Sequence, residues 1–130
     1  MCLCCSRIIG DQDPILIIKP EWLERILRGE KSIEIRGLPC PSKVGKQIWL
    51  CASGSRVVTG KAIVVDQRKL SKDEWENMRP QHLVPGDRCY GELTHGWMLA
   101  DVQRIPAIPI ERKRGAVIWQ LGPGYGIEIE

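Results

Sequence analysis

No stretch of this 130-residue chain approaches the roughly 20 consecutive apolar residues that cross a bilayer, so no membrane span is expected. A second pair of cysteines is also missing. Cys2, Cys4 and Cys5 crowd the first five residues, Cys40, Cys51 and Cys89 stand apart, and His82 and His95 are the only histidines. The paired knuckles of a four-ligand zinc site therefore cannot be assembled, and no metal is expected. "MCLCCSRIIG" has neither the basic start nor the apolar stretch of about 7–15 residues of a secretory signal, which points to the cytoplasm or nucleus and to reduced thiols. The crowded cysteines read as a loosely docked tail, with acylation as the alternative. No Walker loop, dinucleotide fingerprint or serine elbow occurs, so no cofactor is expected. Phenylalanine is absent altogether, while tryptophan occurs five times.

What is present is the composition of an ordinary globular domain, 43% hydrophobic and 27% charged. The length fits one domain. A net charge of +3 suits a polyanionic partner without requiring one. There is no internal repeat and no low-complexity segment, so the elements are read from periodicity. "PILIIK" (Pro14 to Lys19) is a β-branched apolar run and predicts a buried strand. Pro20 suits the first position of a helix that ends before Gly29, with Trp22, Leu23, Ile26 and Leu27 on one apolar stripe. "KSIEIR" follows as a strand, with Ile33 and Ile35 on one face and Ser32, Glu34 and Arg36 on the other.

Two further strands are expected in "QIWLCAS" and "RVVTGKAIVVD", the second bent or bulged at Gly60. Ser71 and Glu74 form a capping-box signature for a short helix ending before Pro80. "VPGDRCYG" reads as a turn. "GWMLADVQRI" and "GAVIWQL" read as late strands joined by a basic loop, "PAIPIERKRG". Short strands, brief helices and no βαβ rhythm predict a mostly β (α+β) fold, a small barrel with two or three short helices. The tails take residues 1–13 and 122–130, and the domain takes 14–121.

The segments "IIKPEWLERILRGEKSIEIR", "QIWLCAS", "VVTGKAIVVD" and "HGWMLADVQRIPAIPI…GAVIWQL" carry a resemblance to the ASCH domain family of the PUA-like superfamily. The resemblance implies a PUA-like barrel with a cleft where the G-x-K-x-x-E-x-R strand meets the helix, suited to RNA or a nucleotide. Some members of the family are RNA-binding or coactivator-associated modules, some are ribonucleases, and a small branch hydrolyses acylated cytidines. Lys31, Glu34 and Arg36 are the positions that match the motif. The hydrolytic branch uses a lysine, a threonine and a distant glutamate. Lys31 matches the lysine, Glu34 stands where the threonine would be, and Glu74 and Glu76 lie in the region of the distant glutamate.

Read from the residues alone, Glu34 and Arg36 lie two apart on one strand face, and the turn at Gly29 can swing Lys31 toward them. Enclosed, Arg36 offers a planar fork to a phosphate or base edge, Glu34 accepts from an exocyclic amine, and Lys31 is a candidate nucleophile or base. Left exposed, the same residues are an ion pair worth about 0–1 kcal/mol. Lys19 and Trp22 can face the same cleft, and aromatic faces are what single-stranded bases stack on. Trp49, Trp97 and Trp119 alternate with apolar neighbours and read as core, and Trp75 as a helix-to-barrel contact.

Arg112, Lys113 and Arg114 form a basic loop that can meet a phosphodiester backbone, and Lys43, Lys46, Arg56 and Lys61 can extend that surface. His95 is a candidate for acid–base chemistry or a plain turn histidine. The function expected is an RNA- or nucleotide-binding module. The alternatives are a hydrolase with Lys31 and Glu34 as catalytic residues and a protein-interaction or coactivator module.

Overall fold

The computed structural model describes residues 9–112 and 118–122. The β-branched run forms β1 (Pro14–Ile18), in which Ile15 to Ile18 are all buried. Pro20 then opens α1 (Pro20–Leu27), whose Leu23 and Ile26 face inward. β2 (Ile33–Arg36), β3 (Gln47–Ala52) and β4 (Val57–Lys69) follow. α2 (Lys72–Asn77) starts on the full capping box of Ser71 and Glu74. A four-residue α3 (Arg79–His82) takes Pro80 in its first turn, where the missing N–H costs nothing, so the chain continues helically past the expected stop. β5 (His95–Pro109) and β6 (Trp119–Leu121) complete the fold.

The strands make one six-stranded sheet in the order β2-β5-β4-β3-β1-β6. β1 and β3 run parallel, and the remaining neighbours are antiparallel. The β4–β5 ladder changes register between Val58 and Gly60, between Lys61 and Ile63 and between Val64 and Asp66. Each bulge adds twist, so the long central hairpin curls the sheet into a half-barrel instead of leaving it flat. This is the small, mostly β, barrel-like architecture that the pattern of short strands predicts. At Gly60 a Cβ would stand 2.5 Å from Leu27 Cδ2 and 3.2 Å from the Gln103 carbonyl oxygen, so the glycine at the bend also lets α1 pack closely.

Both faces of the sheet are covered. On one, Leu16 and Ile18 of β1 pack with Leu23, Ile26, Ile48, Leu50 and Trp97. On the other, Ile15 and Ile17 pack with Ile9, Trp49, Cys51 and Val58. Full burial stabilises each such side chain by about 1.5–3 kcal/mol, which explains why β1 and β3 tolerate polar residues only at their ends. A third cluster packs Ile33 and Ile35 of β2 against Leu70 and Trp75, the last being the expected contact between helix and sheet.

The late part of the chain differs from expectation. Residues 106–109 belong to β5 instead of a loop. Beyond Met98 and Leu99, β5 has no strand partner on the side away from β4 among the described residues, and Pro106 falls in the register gap between Gly60↔Arg104 and Val58↔Ile108. A residue without an N–H fits there. β2 starts at Ile33, leaving Lys31 in the preceding turn, and residues 115–117 of the last expected strand lie outside the described residues. Among the described residues, no helix is long and apolar enough to cross a membrane.

Candidate functional site

The turn that closes α1 places Lys31. Gly29, at φ 78, occupies the left-handed region where an L side chain is strained. Its N–H bonds the Ile26 carbonyl at 3.0 Å, and the Glu30 N–H bonds the Arg25 carbonyl at 2.9 Å, the crossed pair of a Schellman stop. The chain therefore reverses within two residues and delivers Lys31 inward, 1% exposed. Its Nζ donates to the His82 carbonyl at 2.5 Å and sits 4.6 Å from the centre of the Trp22 ring.

That carbonyl is itself held. His82 is buried and stacked on Trp75 with ring centres 4.0 Å apart, its Nδ1 accepts the Val84 N–H at 2.9 Å, and its Nε2 lies 2.8 Å from the Trp75 carbonyl. With one nitrogen accepting and the other facing a carbonyl, the ring is the neutral tautomer protonated on Nε2. Burial lowers its pKa, and the nearby Lys31 and Arg79 cations act in the same sense.

β2 supplies the other two charges. Glu34 shares a face with Arg36, whose Nε donates to Glu34 Oε2 at 2.8 Å, and the side chains are only 5% and 13% exposed. Arg36 Nη2 donates to the Ile17 carbonyl of β1 at 2.7 Å, and its guanidinium lies 5.7 Å from the centre of the Trp97 ring. Among the described residues no donor bonds Glu34 Oε1. Burial pushes the Lys31 amine down to about 8, with Glu34 pulling the other way and Arg36 and Arg25 adding to the fall. The polar trio is thus enclosed, unlike the exposed ion pair that the alternation equally allowed.

Lys31, Glu34 and Arg36 line one cavity of about 470 Å³, and Lys19 and Trp22 line it with them. That volume is in the range of small-ligand sites. Ser53, Cys89 and Tyr90 add polar groups to the lining, and the Tyr90 ring rests on Gly37, where a Cβ would meet it at 2.7 Å. Sequence reasoning missed these three and the His82 carbonyl, because they arrive from turns and from a four-residue helix too short to show periodicity. Gly37, the glycine immediately after the motif strand and able to seat a ring, is the one local hint.

The other candidates lie elsewhere. Arg112 donates to the Ser55 carbonyl at 3.3 Å and does not line the cavity, and Lys113 and Arg114 lie outside the described residues. Glu74 is engaged by the Ser71 cap and by Arg68, Glu76 pairs with Arg79, and neither lines the cavity. His95 contacts the Leu93 carbonyl at 2.7 Å, outside the lining. Lys43 stacks on Trp119, which in turn stacks on Trp97 at 5.6 Å. Among the described residues no group of three His, Cys, Asp or Glu side chains is placed to hold a metal ion.

The ASCH domain family model matches residues 16–109. The crystal structure of ASCH from Zymomonas mobilis is similar in fold, with a TM-score of 0.64 at 20% identity, over 77% of this chain and 75% of that one. A serine-to-alanine mutant of the Zymomonas mobilis protein matches with a TM-score of 0.61 at 21% identity, over 78% and 77% of the two chains. No curated protein matches the chain.

Proposed function

Because this chain belongs to the ASCH domain family, we propose that its cavity binds one nucleotide of a single-stranded RNA, or a free nucleotide of the same chemistry. The observation that carries this reading is the convergence of Lys31, Glu34 and Arg36 on one cavity of about 470 Å³, with Glu34 Oε1 bonded by no donor among the described residues. A carboxylate oxygen that lines the cavity with spare acceptor capacity is matched by the amine or imino edge of a base, and an ammonium lining the same cavity is matched by a base carbonyl or ring nitrogen. Trp22 and Tyr90 line the same cavity, and aromatic rings there are worth about 1–3 kcal/mol per stacked base. Arg36 and the exposed Lys19 serve the phosphate.

Titration of a labelled single-stranded RNA against the full chain tests the proposal. Saturable binding that weakens with salt is expected, together with at least about a tenfold loss in Glu34→Gln, which keeps the side-chain shape but removes the acceptor charge. Absence of binding, or equal binding by Glu34→Gln and Tyr90→Ala, counts against it.

The lowered pKa of Lys31 favours a second reading, a hydrolase acting on an RNA phosphodiester or on an acylated cytidine. The same incubation then releases fragments or the acyl group, and Lys31→Ala abolishes turnover. In the binding reading Lys31→Ala weakens affinity and flattens the salt slope.

A further inference from the structure

We propose that Lys31 is a Schiff-base lysine that condenses with the open-chain aldehyde of a phosphate-linked sugar, the group exposed when a nucleotide has lost its base. The inference rests on the nucleotide reading of the cavity and goes beyond it. In that reading Lys31 and Glu34 meet the base while Arg36 and Lys19 meet the phosphate, all four lining one cavity. A sugar lacking its base then carries its aldehyde carbon toward the position the base would fill, where the Lys31 amine stands.

The surroundings of Lys31 suit a nucleophile. Its Nζ donates to the His82 carbonyl, which takes an N–H in either protonation state and leaves the lone pair of the neutral amine for attack. The charged or titratable groups around it are Glu34 and Arg36 on β2, Arg25 on α1, His82 on α3 and Cys89 on the segment after α3. Burial lowers its pKa to about 8, so a useful fraction is neutral near physiological pH. Lys19, the other lysine at the cavity, is exposed at the rim.

The step balances without an oxidant. Nζ adds to the aldehyde carbon, forming a C–N bond as the carbonyl π bond opens to a carbinolamine. The ammonium proton passes to the oxygen through the Glu34 carboxylate. Loss of water then leaves the imine.

The test incubates the full chain with an oligonucleotide bearing one abasic site, with the intact oligonucleotide, and with free ribose 5-phosphate, each with sodium borohydride to reduce an imine to a stable amine. A strand adduct mapping to Lys31 is expected, with a rate that rises up to about pH 8 and then levels. Lys31→Arg, at strand concentrations high enough to saturate it, should form no adduct, while Glu34→Gln should slow trapping by about 100-fold. If Lys31→Arg does not fold, peptide mapping of the wild-type adduct decides. An adduct with ribose 5-phosphate alone supports the imine chemistry with the free sugar phosphate as its source. Binding of the intact strand without any adduct overturns this inference and leaves the nucleotide reading in place. Adducts spread over surface lysines, or unchanged in Lys31→Arg, overturn it as well.

Discussion

At the scale of single residues, the ammonium of Lys31 is held well out of water, and its titration is a handle on the whole site. Its pKa falls from 10.5 to about 8 on folding. Below pH 8 both the folded and unfolded chains hold the proton, and the fold bears the cost of enclosing a cation. Between pH 8 and 10.5 the unfolded chain keeps a proton that the folded chain has released, so stability rises with pH, by about 3 kcal/mol at most over the window. Urea unfolding at pH 7, 8.5 and 10 should show that rise against the contribution of other groups, and Lys31→Met should remove it. A slope that survives in Lys31→Met would place its origin elsewhere. Glu34 opposes the fall, so Glu34→Gln should move the inflection further below 8.

At the scale of elements, two helix ends separate stability from the site. The Gly29 stop sets the direction of Lys31, and alanine there must adopt φ near 78. Gly29→Ala should cost about 1–2 kcal/mol and weaken ligand binding as well, since the turn positions the amine. Ser71→Ala removes one bond of the α2 capping box and should cost about 1 kcal/mol, yet leave ligand affinity unchanged, because Glu74 does not line the cavity. Measuring denaturation and RNA affinity on both variants distinguishes the two outcomes. Both helix ends were legible from short-range signals, a glycine after an apolar stripe and a serine three residues before a glutamate. The extension of β5 through Pro106 was not, because whether a proline is tolerated in a strand depends on whether a neighbour needs its N–H.

At the scale of the molecule, Arg36 joins β2, at one end of the sheet order, to the carbonyl of Ile17 in β1, near the other. The guanidinium thus spans the curled sheet while also pairing Glu34. Arg36→Met would leave a buried carboxylate and a backbone carbonyl without that partner, at a cost of about 3–5 kcal/mol. Hydrogen exchange should accelerate first in β2, which among the described residues pairs only with β5, and a uniform acceleration across all strands would argue against a spanning role.

Periodicity, capping signals and turn residues are local, and so the amino-acid order alone determined most of the elements, the buried character of β1 and β3, and the membership of Lys31, Glu34 and Arg36 in one motif. Whether that motif faced water or a cavity was decided by the tertiary structure. A strand pattern distinguishes two faces and cannot say what covers the second one. Here it is covered by α1, by the His82 carbonyl and by the turn carrying Cys89 and Tyr90, segments brought to the strand from as many as 54 positions away by the curl of the sheet.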